Sequence, residues 1–266
     1  MQTYRVKSHD GTALHVVEAG NRNGIPILFI HGFCQSHLAW RKQFHSDLLH
    51  DFRLVSYDLR GHGFSDKPRN MYDSTDVWAD DVRSIIQVLQ LDHPVLCGWS
   101  YGTRIIGDYL QKYGEEEIRG FHFVASVPGK DVVGETWTKI HSKMMSEDAE
   151  EIIQANTMLL DAMIHEPMQP EEYFLFQGFQ SLVPPHVRKA ILSRKPLENP
   201  ELVKITKPVV ITHGLEDKLS LPKTAELGKK RYPDAKLSLF PQVGHAPFWE
   251  NTERFNQEIR DLLRSL

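Results

Sequence analysis

Residues 94–102 read Pro94-Val95-Leu96-Cys97-Gly98-Trp99-Ser100-Tyr101-Gly102, an apolar run that ends in G-x-S-x-G. The run at 94–97 has the unbroken hydrophobicity of a strand covered on both faces. Behind Ser100, the residues Ile105, Ile106, Tyr109 and Leu110 recur at helical spacing until Gly114 stops the pattern. A serine caught in so sharp a strand-to-helix turn sits on strained backbone, and the flanking glycines relieve the crowding. Its hydroxyl then stands clear of the main chain, with the positive end of the following helix aimed at it. This context predicts a nucleophile elbow with Ser100 as the nucleophile.

Outward from the elbow, strand-like and helix-like runs alternate. Residues 3–7 and 13–18 read as two opening strands joined by a turn at Asp10-Gly11. Further strands are expected at 26–30, 53–58, 121–127, 208–212 and 237–240. Helices are expected at 75–91, just after Ser100, and at 252–263. Such alternation implies a mostly parallel central sheet with helices on both faces. Between about Gly129 and Pro208 the alternation stops. That stretch is rich in Met, Glu and helix formers and is interrupted at Pro184-Pro185, Pro196 and Pro200. It reads as a helical cap inserted into the sheet domain, giving core residues 1–128, a cap at 129–207 and core again at 208–266.

A serine hydroxyl is a poor nucleophile until a base takes its proton, and the base is best held in one tautomer by a carboxylate. Of 14 histidines, His245 lies in Val243-Gly244-His245-Ala246-Pro247, on a loop after the last strand. Directly behind the strand at 208–212, His213-Gly214-Leu215-Glu216-Asp217 offers the acid. Asp217 is chosen over Glu216, whose place is solvent. His213, at the strand's end, reads as a packed or hydrogen-bonded residue.

The order Ser100, Asp217, His245 is that of the α/β-hydrolases, and the chain resembles that superfamily over nearly its whole length. Further marks are His31-Gly32-Phe33 after the third strand and Asp58-Leu59-Arg60-Gly61-His62-Gly63-Phe64-Ser65-Asp66 after the fourth. These segments, with Gly244-His245-Ala246-Pro247-Phe248, are similar to those of small bacterial serine esterases, cofactor-free haloperoxidase-type enzymes and some acyl-homoserine-lactone lactonases. The resemblance implies an oxyanion hole made by the backbone N–H groups of Phe33 and Tyr101. It also implies structural roles for His31, His62 and the Asp58–Asp66 turn. The serine separates the chain from relatives of this fold that attack with Asp or Cys.

Composition closes off other classes. Hydrophobic residues make up 41% and charged residues 25% of the 266, which is ordinary for a folded domain and leaves no case for disorder. The net charge of −4 has no basic excess to hold nucleic acid, and no apolar run approaches the length of a membrane span. Two cysteines, Cys34 and Cys97, make no disulfide framework, and the N-terminus carries no leader pattern, so a cytoplasmic protein is expected. No metal-ligand or nucleotide-binding motif occurs, and neither metal nor cofactor is implied.

The expected activity is hydrolysis of carboxylic esters of small or medium apolar groups through an acyl-enzyme. Lactone hydrolysis, C–C bond hydrolysis and perhydrolysis use the same triad and remain open, as does a catalytically silent small-ligand binder. The expected partner is a small ester or lactone. The insertion holds five of the seven methionines, Met144, Met145, Met158, Met163 and Met168, and Trp137. With Phe33, Tyr101 and Phe248 in the core, Trp137 is taken as a pocket candidate.

Overall fold

The computed structural model describes residues 1–129, 131–195, 197 and 204–264. The chain opens with β1 (Gln2–Lys7), β2 (Ala13–Gly20) and β3 (Pro26–Ile30). A 3-10 turn (His37–Trp40) and two single-turn helices, α1 (Arg41–Phe44) and α2 (Leu48–Asp51), lead to β4 (Arg53–Tyr57). Then come α3 (Thr75–Val88), β5 (Val95–Trp99), α4 (Tyr101–Tyr113) and β6 (Gly120–Val124). Four helices follow in the insertion: α5 (Glu135–Met144), α6 (Ala149–Met163), α7 (Pro170–Ser181) and α8 (Pro185–Leu192). The sheet resumes with β7 (Val209–Gly214), α9 (Lys223–Arg231) and β8 (Lys236–Phe240), and the chain closes with α10 (Pro247–Glu250) and α11 (Thr252–Arg264).

The eight strands form one sheet in the order β1-β2-β4-β3-β5-β6-β7-β8. Only the β1–β2 and β2–β4 pairs are antiparallel. Every residue of β3, β5 and β6 is buried, as expected of parallel strands covered on both sides. Side chains alternate across the sheet, and β5 shows what covers each face. A Cβ on Gly98 would lie 2.7 Å from Ile106 Cδ1, so that face carries α4. Trp99 points the other way, to Phe248 of α10 at 4.8 Å, and His122 on the same face stacks at 4.8 Å on Phe255 of α11.

Two element ends differ from the sequence reading for local reasons. The strand read as 121–127 ends at Val124, because Ala125 takes a positive φ of 56° and gives its N–H to the Thr212 carbonyl. The helix read as 75–91 ends at Val88; Gln90 turns left-handed and Leu91 N–H bonds back to Ile86. Pro196 and Pro200 lie outside the described residues. The insertion has its own polar centre: Arg188 of α8, closed to solvent, donates to Asn156 Oδ1 at 2.8 Å and to the Val183 and Gln180 carbonyls. One guanidinium thereby ties α6, α7 and α8.

Candidate active site

Ser100 is the N-cap of α4, with φ 52° and ψ −118°, a conformation that costs on the order of 1–3 kcal/mol and needs enforcement by its surroundings. Neighbouring backbone supplies it. A Cβ on Gly102 would lie 2.3 Å from the Ile30 carbonyl oxygen, and one on Gly98 would lie 2.8 Å from Gly102 itself. Only glycine lets β3, β5 and the start of α4 meet this closely. The His31–Phe33 loop passes over the elbow, since a Cβ on Gly32 would come 3.2 Å from Ser100 Cβ.

That loop is fixed by the turn after β4. His31 Nε2 accepts the Leu59 N–H at 3.0 Å, and His62 Nε2 accepts the Cys34 N–H at 3.2 Å. Both rings must be neutral to accept, and burial pushes them down to about 4 and about 3. Arg60 is closed to solvent and bidentate on Asp81, with Asp10 at 2.8 Å, and it anchors the turn.

Asp217 sits in the loop after β7. Its Oδ1 accepts the N–H groups of Leu219 and Ser220, and its Oδ2 receives His245 Nδ1 at 2.7 Å and His213 Nε2 at 3.1 Å. Burial by itself would raise this carboxyl; the two imidazoles hold it down at about 2. His213 Nε2 also donates to the Ser220 carbonyl at 2.7 Å, which leaves it no reach into the cavity. Glu216 is exposed.

His245 is fastened from several sides. Its N–H donates to the Met163 carbonyl at 2.7 Å, and its own carbonyl accepts Trp99 Nε1 at 2.7 Å. Glu250 collects the N–H groups of Gly244 and His165 at 2.9 and 2.7 Å, joining the histidine loop to the chain just past α6.

A cavity of about 210 Å³ brings Ser100 and His245 together with Phe33, Tyr101 and Trp137. Val127, Val133, Leu159, Met163, Leu192 and Leu219 make most of the remainder apolar. Phe248 is a correction to the sequence expectation. It does not line the cavity; three residues past His245, its ring turns into the core, 4.2 Å from Trp40 and 4.8 Å from Trp99. Of the insertion's methionines, Met163 lines the cavity, whereas Met144 is buried under Arg188.

Sequence reading missed two charged lining residues, Arg104 and Asp131. Arg104 stands one helical turn past Ser100 on α4, and Asp131 lies behind β6, close to Gly129. Asp131 accepts the Ser126 hydroxyl at 2.8 Å, and burial pushes its carboxyl up to about 6. Among the described residues, His15, His37 and Asp58 form a group of possible metal-ligand atoms within 4.8 Å of one another. The Asp58 oxygens are already occupied by the N–H and Nδ1 of His37 and the N–H of Phe64, so the group serves the turn.

A family profile described as the alpha/beta hydrolase fold matches residues 25–168. The chain therefore belongs to the α/β-hydrolase fold family, as a carboxylesterase-like enzyme. It is similar to a solved putative aryl esterase from Burkholderia cenocepacia, with TM-score 0.93 and 32% identity over 99% of this chain and 98% of that one. It is also similar to an esterase from Rhodococcus sp. ECU1013, with TM-score 0.92 and 30% identity over the full length of both. A putative non-heme chloroperoxidase of Synechocystis sp. shares 28% identity over 91% of this chain and 92% of its own. No described helix is long and apolar enough to cross a membrane.

Proposed function

We propose that the enzyme hydrolyses small carboxylic esters through an acyl-enzyme on Ser100, with His245 as base and Asp217 as its orienting acid. The observation that carries this reading is the 2.7 Å bond from His245 Nδ1 to Asp217 Oδ2 in the wall of the cavity that holds the strained serine. Bonding at Nδ1 leaves Nε2 to take the serine proton. Ser100 Oγ attacks the ester carbonyl as His245 accepts its proton. The amides of Phe33 and Tyr101 receive the oxyanion, His245 protonates the leaving alcohol, and water repeats the sequence on the acyl-enzyme. In this reading residues 129–207 form a lid over the core segments 1–128 and 208–266, and Trp137, Phe33 and Tyr101 shape the substrate space. Two buried free thiols, Cys34 and Cys97, suit a reducing, cytoplasmic setting.

The chloroperoxidase relative favours one second reading, in which hydrogen peroxide takes the place of water at the acyl-enzyme and releases a peracid. A fluorophosphonate probe should label the parent and fail to label Ser100→Ala. Ester turnover should fall on the order of 10⁴-fold in that variant. Turnover within about tenfold of the parent would remove Ser100 from the mechanism.

A further inference from the structure

Arg104 places a cation in the wall of a largely apolar cavity, one helical turn past Ser100 on α4. Its Nε is buried without a hydrogen-bond partner, and its Nη2 donates to the Lys195 carbonyl. Among the described residues no carboxylate comes within ion-pair distance of it. The nearest acid along the helix, Asp108, is already taken: Arg194 Nη2 donates to Asp108 Oδ2 at 2.9 Å, and both side chains are closed to solvent.

Asp108 thus pairs with Arg194 and not with Arg104, and burial pushes its carboxyl up to about 6. Burial disfavours the charge on Arg104 most, and the neighbouring Arg194 adds to this against the pull of Tyr101 and Asp108. The positive end of α4 adds to the same side. Asp131, the other charged side chain of the cavity, offers no relief. It is bonded to Ser126, and among the described residues it makes no ion pair with Arg104. Arg104 thus lines the substrate space held by the Lys195 carbonyl and the Tyr101 ring, 5.9 Å away, and with no carboxylate paired to it among the described residues.

We propose that Arg104 is an anion subsite, and that the preferred substrates are esters bearing a carboxylate a few bonds from the scissile carbonyl. This rests on the esterase reading and narrows it from neutral esters to half-esters and carboxylated esters. The Ser100 and Arg104 Cα atoms are separated by about 6 Å of helix rise, which matches a short spacer. A guanidinium presents paired N–H donors suited to a carboxylate's two oxygens.

Two arms locate the carboxylate. Monomethyl glutarate against methyl valerate tests the acyl side, and 4-carboxyphenyl acetate against 4-methylphenyl acetate tests the alcohol side. In one arm, Arg104→Met should lower the ratio of kcat/KM for the anionic over the neutral ester about 30-fold, and Arg104→Lys should restore part of it. Calorimetry with glutarate gives a readout that needs no turnover; its affinity should fall about 30-fold in Arg104→Met. Unchanged ratios in both arms, within threefold, in protein that still takes the fluorophosphonate label would overturn the subsite. Should the parent neither label nor hydrolyse any ester, the esterase reading fails, and glutarate binding alone decides: equal affinity in parent and Arg104→Met rejects the subsite.

Discussion

Arg194 reaches down from the end of the helical insertion and donates from Nη1 to the Tyr101 hydroxyl at 2.6 Å. Tyr101 directly follows Ser100, so the insertion grips the neighbour of the proposed nucleophile. The same guanidinium pairs with Asp108 and lies 5.0 Å over the Trp78 ring. Arg194→Met leaves a buried carboxyl without its counter-ion, and the expected loss is about 3 kcal/mol in urea unfolding. Tyr101→Phe should cost about 1 kcal/mol. Asp108 is already raised to about 6, so at pH 5 it takes a proton and no charge is stranded. The Arg194→Met loss should therefore be smaller at pH 5 than at pH 8; an equal loss at both would show that Asp108 is not the group left unpaired.

Asp217→Asn keeps the shape of the acid but cannot hold His245 in the required tautomer. Turnover should fall roughly 10⁴-fold. Glu216→Gln, at an exposed position in the same loop, should stay within about twofold of the parent. Steady-state kinetics on the two purified variants decides the assignment, and a reversal of the two results would move the acid by one residue.

Asp131 gives the pH dependence a second carboxyl. Burial pushes it up to about 6, against the pull of the Ser126 hydroxyl and of His245 and His213. Above that pH it ionises and adds negative charge beside His245, which favours the imidazolium formed during proton transfer. Below it the group is neutral and contributes little. The parent-to-Asp131→Asn ratio of kcat/KM should thus lie near one at pH 5 and climb to about threefold to tenfold by pH 8. A flat ratio across that range would exclude the coupling.

Much of this was legible from residue types alone. The sheet follows from apolar runs that are buried on both faces, and the elbow from two glycines that no other residue can replace where β3, β5 and α4 meet. The proposed Ser100, Asp217 and His245 follow from chemistry plus position behind strands, and the structure brings Ser100 and His245 to one cavity with Asp217 bonded to His245. Phe248 did not follow, because proximity in sequence to His245 says nothing about which way a ring turns on a single helical turn. Arg104, Asp131 and Arg194 were missed for a related reason. Charged residues on amphipathic helices and loops ordinarily face water, and only the packed insertion makes these three inward-facing.

Trp137 stands edge-on to Phe33 at 6.1 Å, and both rings line the cavity. Trp137→Ala should enlarge the acyl or alcohol space and shift the ratio of kcat/KM between short and long esters. Each methylene that gains contact is worth roughly 1–3 kcal/mol. A chain-length profile identical to the parent's would assign Trp137 to packing of the insertion alone.

The bond from His245 N–H to the Met163 carbonyl, with Glu250 stitching Gly244 to His165 beside it, makes the insertion a bearing for the base as well as a roof. Without the insertion the proposed base would lose one hold and keep those from Asp217 and Trp99. The other end is tied as well: Val132 and Gly134, which lead into α5, bond to Leu221, Thr224 and Leu219 of the core, so the insertion is fastened on both sides of the cavity.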